Sequence, residues 1–299
     1  MTYHVSVMKE YVVDALNVKR GGLYLDATLG GGGHSQALLD AGARVIAIDR
    51  DSDAIEYCKA NVKGDITYIQ GQYENAVELL STTGADKLSG AVMDLGVSSH
   101  QLDDPTRGFS YMRDGKLDMR MDRQQELSAR DVINGYSEER LADIFRRYGE
   151  ESFARRIAAA VVRARGKREI ETTKELADII CASVPYRKSG HPAKKVFQAV
   201  RIEVNGELKG LYDAVVGIFG MIERGGRLAV ITFHSLEDRI VKAAFKEFAT
   251  DCICPRSLPI CVCGHKATGK IIGREKPSEQ EQTDNPRSAS AMVRTVEKL

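Results

Sequence analysis

The sequence predicts an open α/β sheet of alternating strands and helices, interrupted by an all-helical insertion. Three observations carry this reading. Short apolar runs at residues 23–27, 44–48, 66–69 and 91–93 are each followed by a helical stretch, as in parallel strands joined by crossover helices. Between residues 105 and 208 there is only helical periodicity. A buried-strand run then returns at residues 227–233.

The elements follow in order. Residues 23–27, Leu-Tyr-Leu-Asp-Ala, make a first strand running into Gly30, Gly31, Gly32 and Gly33, with a helix over 34–41. Residues 44–48 make a second strand ending at Asp49, which completes a βαβ unit. Asp51, Ser52 and Asp53 are candidate caps for a helix over 51–62. A strand at 66–69, a helix near 75–80 and a strand at 91–93 ending at Asp94 complete the first half. In the insertion, Leu141, Ile144, Phe145 and Tyr148 share a helical face, as do Phe153, Ile157, Ala160, Val161 and Ala164, and then Phe197, Val200, Val204 and Leu208. After the turn Gly225-Gly226 come the strand at 227–233, a helix over 236–248 and a last strand at 291–296. Residues 264–290, rich in Gly, Lys, Glu and Pro, read as a long, partly mobile surface segment. The economical architecture is one discontinuous α/β domain, residues 1–104 and 210–299, with a helical domain inserted at 105–209.

With 43% hydrophobic and 28% charged residues over 299 positions, the composition is that of a soluble globular protein with a sizeable core, which excludes disorder and collagen-like structure. No apolar run approaches the roughly 18 residues needed to span a bilayer. Lys9 and Glu10 stand where a signal peptide needs an apolar stretch, so the expected location is the cytoplasm. The net charge of +1 hides an uneven distribution: residues 1–105 carry −7, residues 106–209 carry +6 and residues 210–299 carry +2. A basic middle third suits a polyanionic partner or a merely solvated helical surface, and charge alone does not choose.

A glycine-rich turn after the first strand lets a ligand approach the backbone at the carboxyl ends of the strands. Asp49, 19 residues after Gly30, is placed to accept hydrogen bonds from a ribose diol. Dinucleotides and S-adenosylmethionine both fit such a unit. A dinucleotide fingerprint wants a third glycine where Ser35 stands, and His34 would intrude, so S-adenosylmethionine is favoured. Asp94, ending the fourth strand, offers a further polar group. Each residue also has a plain structural reading: a flexible turn for the glycines, a helix cap for Asp49, a helix-start residue for His34.

Ordered motifs run through the chain: His4-x-Ser6-Val7-Met8, Asp26 through Ser35, Ala47-Ile-Asp49-Arg-Asp51, Asp94 through Ser99 with Gln101, Arg107 through Gly115, Leu117 through Asp122, Phe197 through Glu207, Phe233 through Lys242 and Asn285-Pro-Arg287-Ser. In these stretches the chain resembles the ribosomal RNA small subunit methyltransferase H family. They span nearly the whole chain, in order. The resemblance implies a Rossmann-like, class I S-adenosylmethionine-dependent methyltransferase sheet with an inserted helical domain. It also implies methylation of the exocyclic N4 of one cytidine in the decoding region of 16S ribosomal RNA. By motif match the cofactor contacts fall on Gly32, Gly33, His34, Asp49, Tyr73, Asp94 and Gln101. Tyr73 would pack on adenine; otherwise it is an aromatic capping the core.

The cytosine amino nitrogen is a poor nucleophile because its lone pair is delocalised into the ring, so catalysis needs an acceptor that orients it. The Asp/Asn-Pro-Pro-aromatic motif of many amino-methyltransferases is replaced here by Asp94-Leu95-Gly96-Val97, which keeps the acceptor and loses the prolines and the aromatic. Asp94 is the candidate acceptor, and Phe109 or Tyr111 the candidate stacking partner of the base. Arg155, Arg156 and Arg163 form a basic stripe opposite Phe153, Ile157 and Ala164. With Arg165, Lys167, Arg168, Arg187, Lys188, Lys194 and Lys195 nearby, they are candidates for phosphate contact, against a solvated helix face. The target base has to be turned out of structured RNA. Cys252-x-Cys254 and Cys261-x-Cys263, with His265 adjacent, suit a structural zinc, although the gap between the pairs is short for the familiar sites; free thiols or an oxidised pair are the alternatives. His100 and His234 could line the pocket, His234 equally as a structural residue. The other functional readings are a methyltransferase acting on another base or on protein, and a non-catalytic ribosome-assembly factor. The expected partner is 16S ribosomal RNA or the small ribosomal subunit, with no membrane; monomer and homodimer both remain open.

Overall fold

The computed structural model describes residues 6–185, 190–255, 258 and 260–299. His4, Arg187 and Lys188 lie outside the described residues. The chain forms two compact units, Met1–Gly96 with Leu208–Leu299, and Val97–Glu207.

The first unit begins with α1 (Lys9–Leu16), β1 (Leu23–Asp26), α2 (Gly33–Asp40), β2 (Arg44–Asp49), α3 (Ser52–Asn61), β3 (Ile66–Gln70), α4 (Ala76–Ser81) and β4 (Leu88–Asp94). Asp51 caps α3 by accepting the Asp53 N–H at 3.1 Å. β1, β2 and β4 are apolar and buried because both faces of the parallel sheet are covered there, whereas β3, at the sheet edge, is only half-buried. Along them the side chains alternate: Tyr24, Val45, Ala47 and Val92 pack with Val12, Leu16 and Leu38, whereas Leu25, Ile46, Ile48 and Met93 pack with Leu80 and the later helices.

The second unit, Val97–Glu207, holds α5 (Ser99–Asp103), α6 (Ala129–Gly135), α7 (Glu138–Arg147), α8 (Ala154–Arg165), α9 (Thr173–Ser183) and α10 (Lys194–Asn205). It starts at Val97, not at 105, because Val97 and Leu102 already pack on its core. With these boundaries it carries 21 Lys and Arg against 18 Asp and Glu, so its excess charge falls to +3. α5, α6 and α9 were not expected, yet their starts are written in the sequence. Ser98 with Gln101, Ser128 with Asp131 and Thr172 with Glu175 each close a capping box. The core joins Leu141, Phe145, Ile157, Val161, Ile180 and Phe197.

Between α5 and α6 the chain is mostly irregular, and polar side chains pin it. Arg107 donates to the carbonyls of Arg120 and Met121 at 3.1 and 2.9 Å. Asn205 accepts the Met121 N–H and donates to the Met119 carbonyl, both at 2.8 Å. Buried backbone polar groups left without such partners would each cost roughly 1–3 kcal/mol.

The chain then returns to the first unit with α11 (Leu211–Met221), β5 (Ile222–Thr232), α12 (Ser235–Phe248), β6 (Gly269–Glu275), α13 (Glu279–Asp284) and β7 (Met292–Lys298). The sheet order is β3-β2-β1-β4-β5-β7-β6. β1 to β5 are parallel, and β7 runs antiparallel to both β5 and β6. Residues 264–290 are thus not one irregular segment: they contain an edge strand and a short helix. β6 is mostly exposed and carries Lys270, Arg274 and Glu275, charges that suit an unpaired sheet edge and hide its strand pattern. Among the described residues no helix is long and apolar enough to cross a membrane.

Asn205→Ala removes two buried hydrogen bonds from backbone that has no substitute for them. It is expected to destabilise the helical unit by about 2–3 kcal/mol, measured by chemical denaturation; a loss below about 0.5 kcal/mol would mean that the 105–128 segment is held by other means.

Candidate active site

In open α/β sheets ligands bind at the carboxyl ends of the strands where the winding reverses. Here that point lies between β1 and β4, since the chain winds from β1 outward to β3 and then crosses back to β4. Three strands meeting there end in aspartate: Asp26 on β1, Asp49 on β2 and Asp94 on β4.

Asp26 is fully buried; its Oδ2 accepts the Ser35 hydroxyl at 2.7 Å and its Oδ1 the Thr28 N–H at 3.2 Å. Asp49 accepts the Gly30 N–H at 2.7 Å and the Asp51 N–H at 2.8 Å. Burial outweighs these hydrogen bonds and pushes both carboxyls up to about 6. The Asp94 backbone N–H donates to the Thr28 hydroxyl at 2.6 Å, which ties β4 to the turn after β1. The Asp94 carboxyl is raised well above its ordinary value, first by burial, then by the charges of Asp26 and Glu237. Its Oδ2 faces His34 Nδ1 at 3.6 Å, whereas its buried Oδ1 has no hydrogen-bond partner among the described residues.

The turn between β1 and α2 needs its glycines for different reasons. Gly32, immediately before α2, has φ +75°, and a Cβ there would sit 2.8 Å from Cys58 Sγ and 2.5 Å from Val62 Cγ2. A Cβ at Gly33 would collide with the Ser6 hydroxyl. His34 is buried; its Nε2 lies 3.0 Å from the Val7 carbonyl, and burial lowers its pKa to about 4. A neutral ring that donates from Nε2 leaves a bare lone pair on Nδ1, facing Asp94.

The other expected residues are placed as follows. Asp49 and the turn stand together as the sequence suggested, though Asp49 also anchors the Gly30 backbone. Tyr73 follows β3 and packs, half-buried, against the core, with the Arg50 guanidinium 5.8 Å from its ring. Gln101 lies in the helical unit, where it closes the α5 capping box. Phe109 is a core residue of that unit, 5% exposed, so it presents no free face to a base. Tyr111 stacks on His191 with centroids 4.7 Å apart and meets Phe197 edge-on. Its surface is therefore partly used inside the unit. Burial of aromatic rings in a small helical core outweighs their value as exposed platforms.

On α8, Arg155, Arg156 and Arg163 are exposed and form no ion pair among the described residues. Arg165 and Arg168 drop out of the stripe: Arg165 donates to the Ile133 and Tyr136 carbonyls, and Arg168 pairs with Glu175. Lys194 and Lys195 are exposed at the start of α10, Lys195 reaching the Glu150 carbonyl at 2.8 Å. A cavity of about 500 Å³ in the helical unit includes Arg107, Lys116, Arg120 and Arg123 in its wall. Its Arg120 is already bound in fork geometry by Asp118. His234 is the N-cap of α12, its Nδ1 accepting the Glu237 N–H at 3.4 Å, which assigns it a structural task. Cys252, Cys254, Cys261 and Cys263 lie together between α12 and β6. Asp26 and Thr28 were missed, although the repeated ending of strands in Asp was visible: Leu-Tyr-Leu-Asp, Ala-Ile-Asp and Val-Met-Asp.

The model of the MraW methylase family matches residues 1–299. The chain belongs to the MraW methylase family. It is 47% identical, over 99% of both chains, to the ribosomal RNA small subunit methyltransferase H of Clostridium botulinum (strain Loch Maree / Type A3). To the protein of the same name from Carboxydothermus hydrogenoformans it is also 47% identical, over 99% of this chain and 98% of the relative. A crystal structure of an rRNA methylase from Streptococcus thermophilus superposes with a TM-score of 0.40 at 11% identity, covering 97% of this chain and 93% of the other.

The chain is therefore an S-adenosylmethionine-dependent methyltransferase, and the site fits that cofactor. S-adenosylmethionine carries a sulfonium and an ammonium, and three largely buried carboxylates without a Lys or Arg partner make these strand ends suited to cations and hostile to a pyrophosphate. The group held by Asp49 would be the ribose diol, because its oxygens keep lone pairs beyond the two N–H groups they already accept.

The raised carboxyls have a consequence for stability. A group whose pKa is higher folded than unfolded favours the fold below the unfolded value and loses that contribution as pH rises through the folded value, here about 6. Asp26→Asn removes one such charge. Its effect on apo stability is expected to be more favourable at pH 8 than at pH 4 by up to about 3 kcal/mol, while cofactor affinity falls. Equal effects at both pH values in urea unfolding would show that Asp26 is ionised without penalty.

Proposed function

We propose that this enzyme transfers a methyl group from S-adenosylmethionine to the exocyclic N4 of a cytidine in the decoding region of 16S ribosomal RNA, and that Asp94 orients the amine. The family relation supports a ribosomal RNA substrate. The observation that carries the role of Asp94 is its buried, unpartnered Oδ1 at the end of β4. A buried acceptor without a partner costs free energy, so a donor supplied by a ligand stabilises it.

When bound, the cofactor supplies an electrophilic methyl carbon on its sulfonium. One amine hydrogen donated to Asp94 Oδ1 would hold N4 out of conjugation, so that its lone pair points at that carbon. Methyl transfer to N4 would replace the C–S bond by an N–C bond, turn the sulfonium into a neutral thioether and leave the amine one proton to lose. Asp94 is suited to take that proton because burial makes it a stronger base than an ordinary carboxylate. It must be ionised first. The positive cofactor beside it favours the ionised form, so cofactor binding and activation of the acceptor are linked. Positioning of this kind supplies up to about 7–11 kcal/mol in favourable cases.

RNA binding is assigned to the α8 stripe, Arg155, Arg156 and Arg163, with Lys194 and Lys195. The three arginines and Lys194 face solvent and need no displacement of existing ion pairs, whereas Lys195 would exchange its hydrogen bond to the Glu150 carbonyl for a phosphate. The substrate cytidine is turned out of the RNA to reach a site at strand ends.

Two measurements test this reading. Asp94→Ala is expected to lower kcat by about 10²–10⁴-fold, with Asp94→Asn, which keeps an acceptor but no base, falling between. Unchanged turnover in Asp94→Ala would remove Asp94 from the mechanism, and unchanged N4-methylcytidine in small-subunit RNA of a strain lacking the gene would reject the substrate. Replacing Arg155, Arg156 and Arg163 together by Ala is expected to flatten the slope of log affinity against log salt by about 2–3. An unaltered slope would leave the stripe as a solvated surface.

A further inference from the structure

The loop between α12 and β6, residues 249–268, contains no helix or strand among its described residues. Its ends are tied together: the Thr268 N–H donates to the Phe248 carbonyl at 2.8 Å and the Ala267 N–H to Asp251 at 3.2 Å. The described residues between them form no apolar core. Ile253, Ile260 and Val262 are 64%, 75% and 77% exposed, so burial does not order this segment.

Its one point of convergence is sulfur. Cys252 Sγ lies 3.5 Å from Cys261 Sγ and 3.8 Å from Cys263 Sγ, and Cys261 and Cys263 are 3.5 Å apart. With Cys254, all four sulfurs fall within 4.8 Å of one another, and all are free thiols. Four thiolates around a zinc ion at about 2.3 Å stand about 3.8 Å apart at the corners of a tetrahedron. The observed spacings match those edges. The Val262 N–H also donates to Cys254 Sγ at 3.4 Å, the kind of backbone hydrogen bond that supports a metal-bound thiolate.

We propose that Cys252, Cys254, Cys261 and Cys263 bind one zinc(II) ion in a closed tetrathiolate site that orders this loop. Four protein ligands leave no open position, so the site is structural and takes no part in methyl transfer. Tetrahedral sulfur coordination is the preference of zinc, whereas calcium and magnesium require oxygen ligands. Metal binding replaces the missing core here: in small metal-bound segments the binding free energy is the folding free energy. The ligand pairs Cys-Ile-Cys and Cys-Val-Cys place the apolar residues outward, as expected when the thiols must point to a common centre.

The full chain, expressed with zinc in the medium and purified without chelator, is expected to contain one zinc per chain by elemental analysis. Alkylation mapped by mass spectrometry provides an internal comparison. The four thiols should react slowly until a strong chelator is added, whereas exposed Cys181 reacts at once and buried Cys58 does not. The double variant Cys261→Ser and Cys263→Ser should lose the zinc and gain protease cleavage within 249–268. Its cofactor affinity reports whether the sheet still folds. Well under one zinc per chain together with fast alkylation of all four thiols overturns the proposal. So does a disulfide among them, or iron in place of zinc.

Discussion

The structure is organised around carboxylates that are expensive to bury. Asp26, Asp49 and Asp94 close three neighbouring parallel strands at their carboxyl ends, and no Lys or Arg among the described residues pairs with any of them. The partners of Asp26 and Asp49 are instead local donors: the Thr28, Gly30 and Asp51 N–H groups and the Ser35 hydroxyl. That demand explains the segment after β1. The chain has to curl back so that its own N–H groups reach two carboxylates on different strands, and only glycine accommodates the conformation and the closeness of Cys58 at Gly32. A salt bridge would also have satisfied the same carboxylates, but it would have removed the negative character a cationic cofactor requires.

Most of the sheet was legible in the sequence because a parallel strand buried on both faces is a plain apolar run, and each of β1, β2 and β4 ends at an Asp where the turn begins. The caps of α3 were legible for the same local reason. β6 was not, since an edge strand is half solvated and guarded by charge: Lys270 and Arg274 bracket two isoleucines and a glycine, which reads as loop. α6 and α9 were missed for a different reason. Their periodicity is short, but the boxes Ser128-x-x-Asp131 and Thr172-x-x-Glu175 carry the signal. At the site, Asp49 and Asp94 were proposed from their places after apolar runs and from the motif match, and β2 and β4 do end at them. Phe109 was misassigned because an aromatic in a motif reads equally as a platform or as core, and only the burial of the ring separates them. Several other motif residues also proved structural: Arg107 and Asn205 pin an irregular segment, and Arg201 holds Glu207 through two hydrogen bonds of 2.8 and 2.7 Å.

The charge map changes once the boundaries are set by packing. An insert counted from 106 to 209 carries +6, but Asp103 and Asp104 belong to it and Lys209 does not, which leaves +3. Net charge is therefore weak support for an RNA-binding role. Placement matters more, because a phosphate responds to cations that are free to turn toward it. Arg165 and Arg168, counted equally in any sum, are held by carbonyls and by Glu175, whereas Arg155, Arg156 and Arg163 are exposed along one helix. The useful quantity is the exposed, unpaired charge on one face, and α8 has it.

Burial raises the Asp94 carboxyl first, then the charges of Asp26 and Glu237, and the neutral ring of His34 does not oppose them. Because its Nε2 is turned to the Val7 carbonyl, its Nδ1 is an acceptor, and an acceptor does not stabilise an ionised carboxylate 3.6 Å away. Without the cofactor, a proton on Asp94 Oδ2 is the state both neighbours favour, in keeping with the direction in which burial drives each pKa. Had His34 been a surface residue near its ordinary pKa, its cationic form would have favoured the ionised Asp94 below about pH 6.5. The buried, neutral ring withholds that charge. On the proposed reaction the charge then comes from the sulfonium itself, so the carboxylate is ionised in the complex that holds a methyl donor, and its free Oδ1 accepts an amine where the transfer can occur.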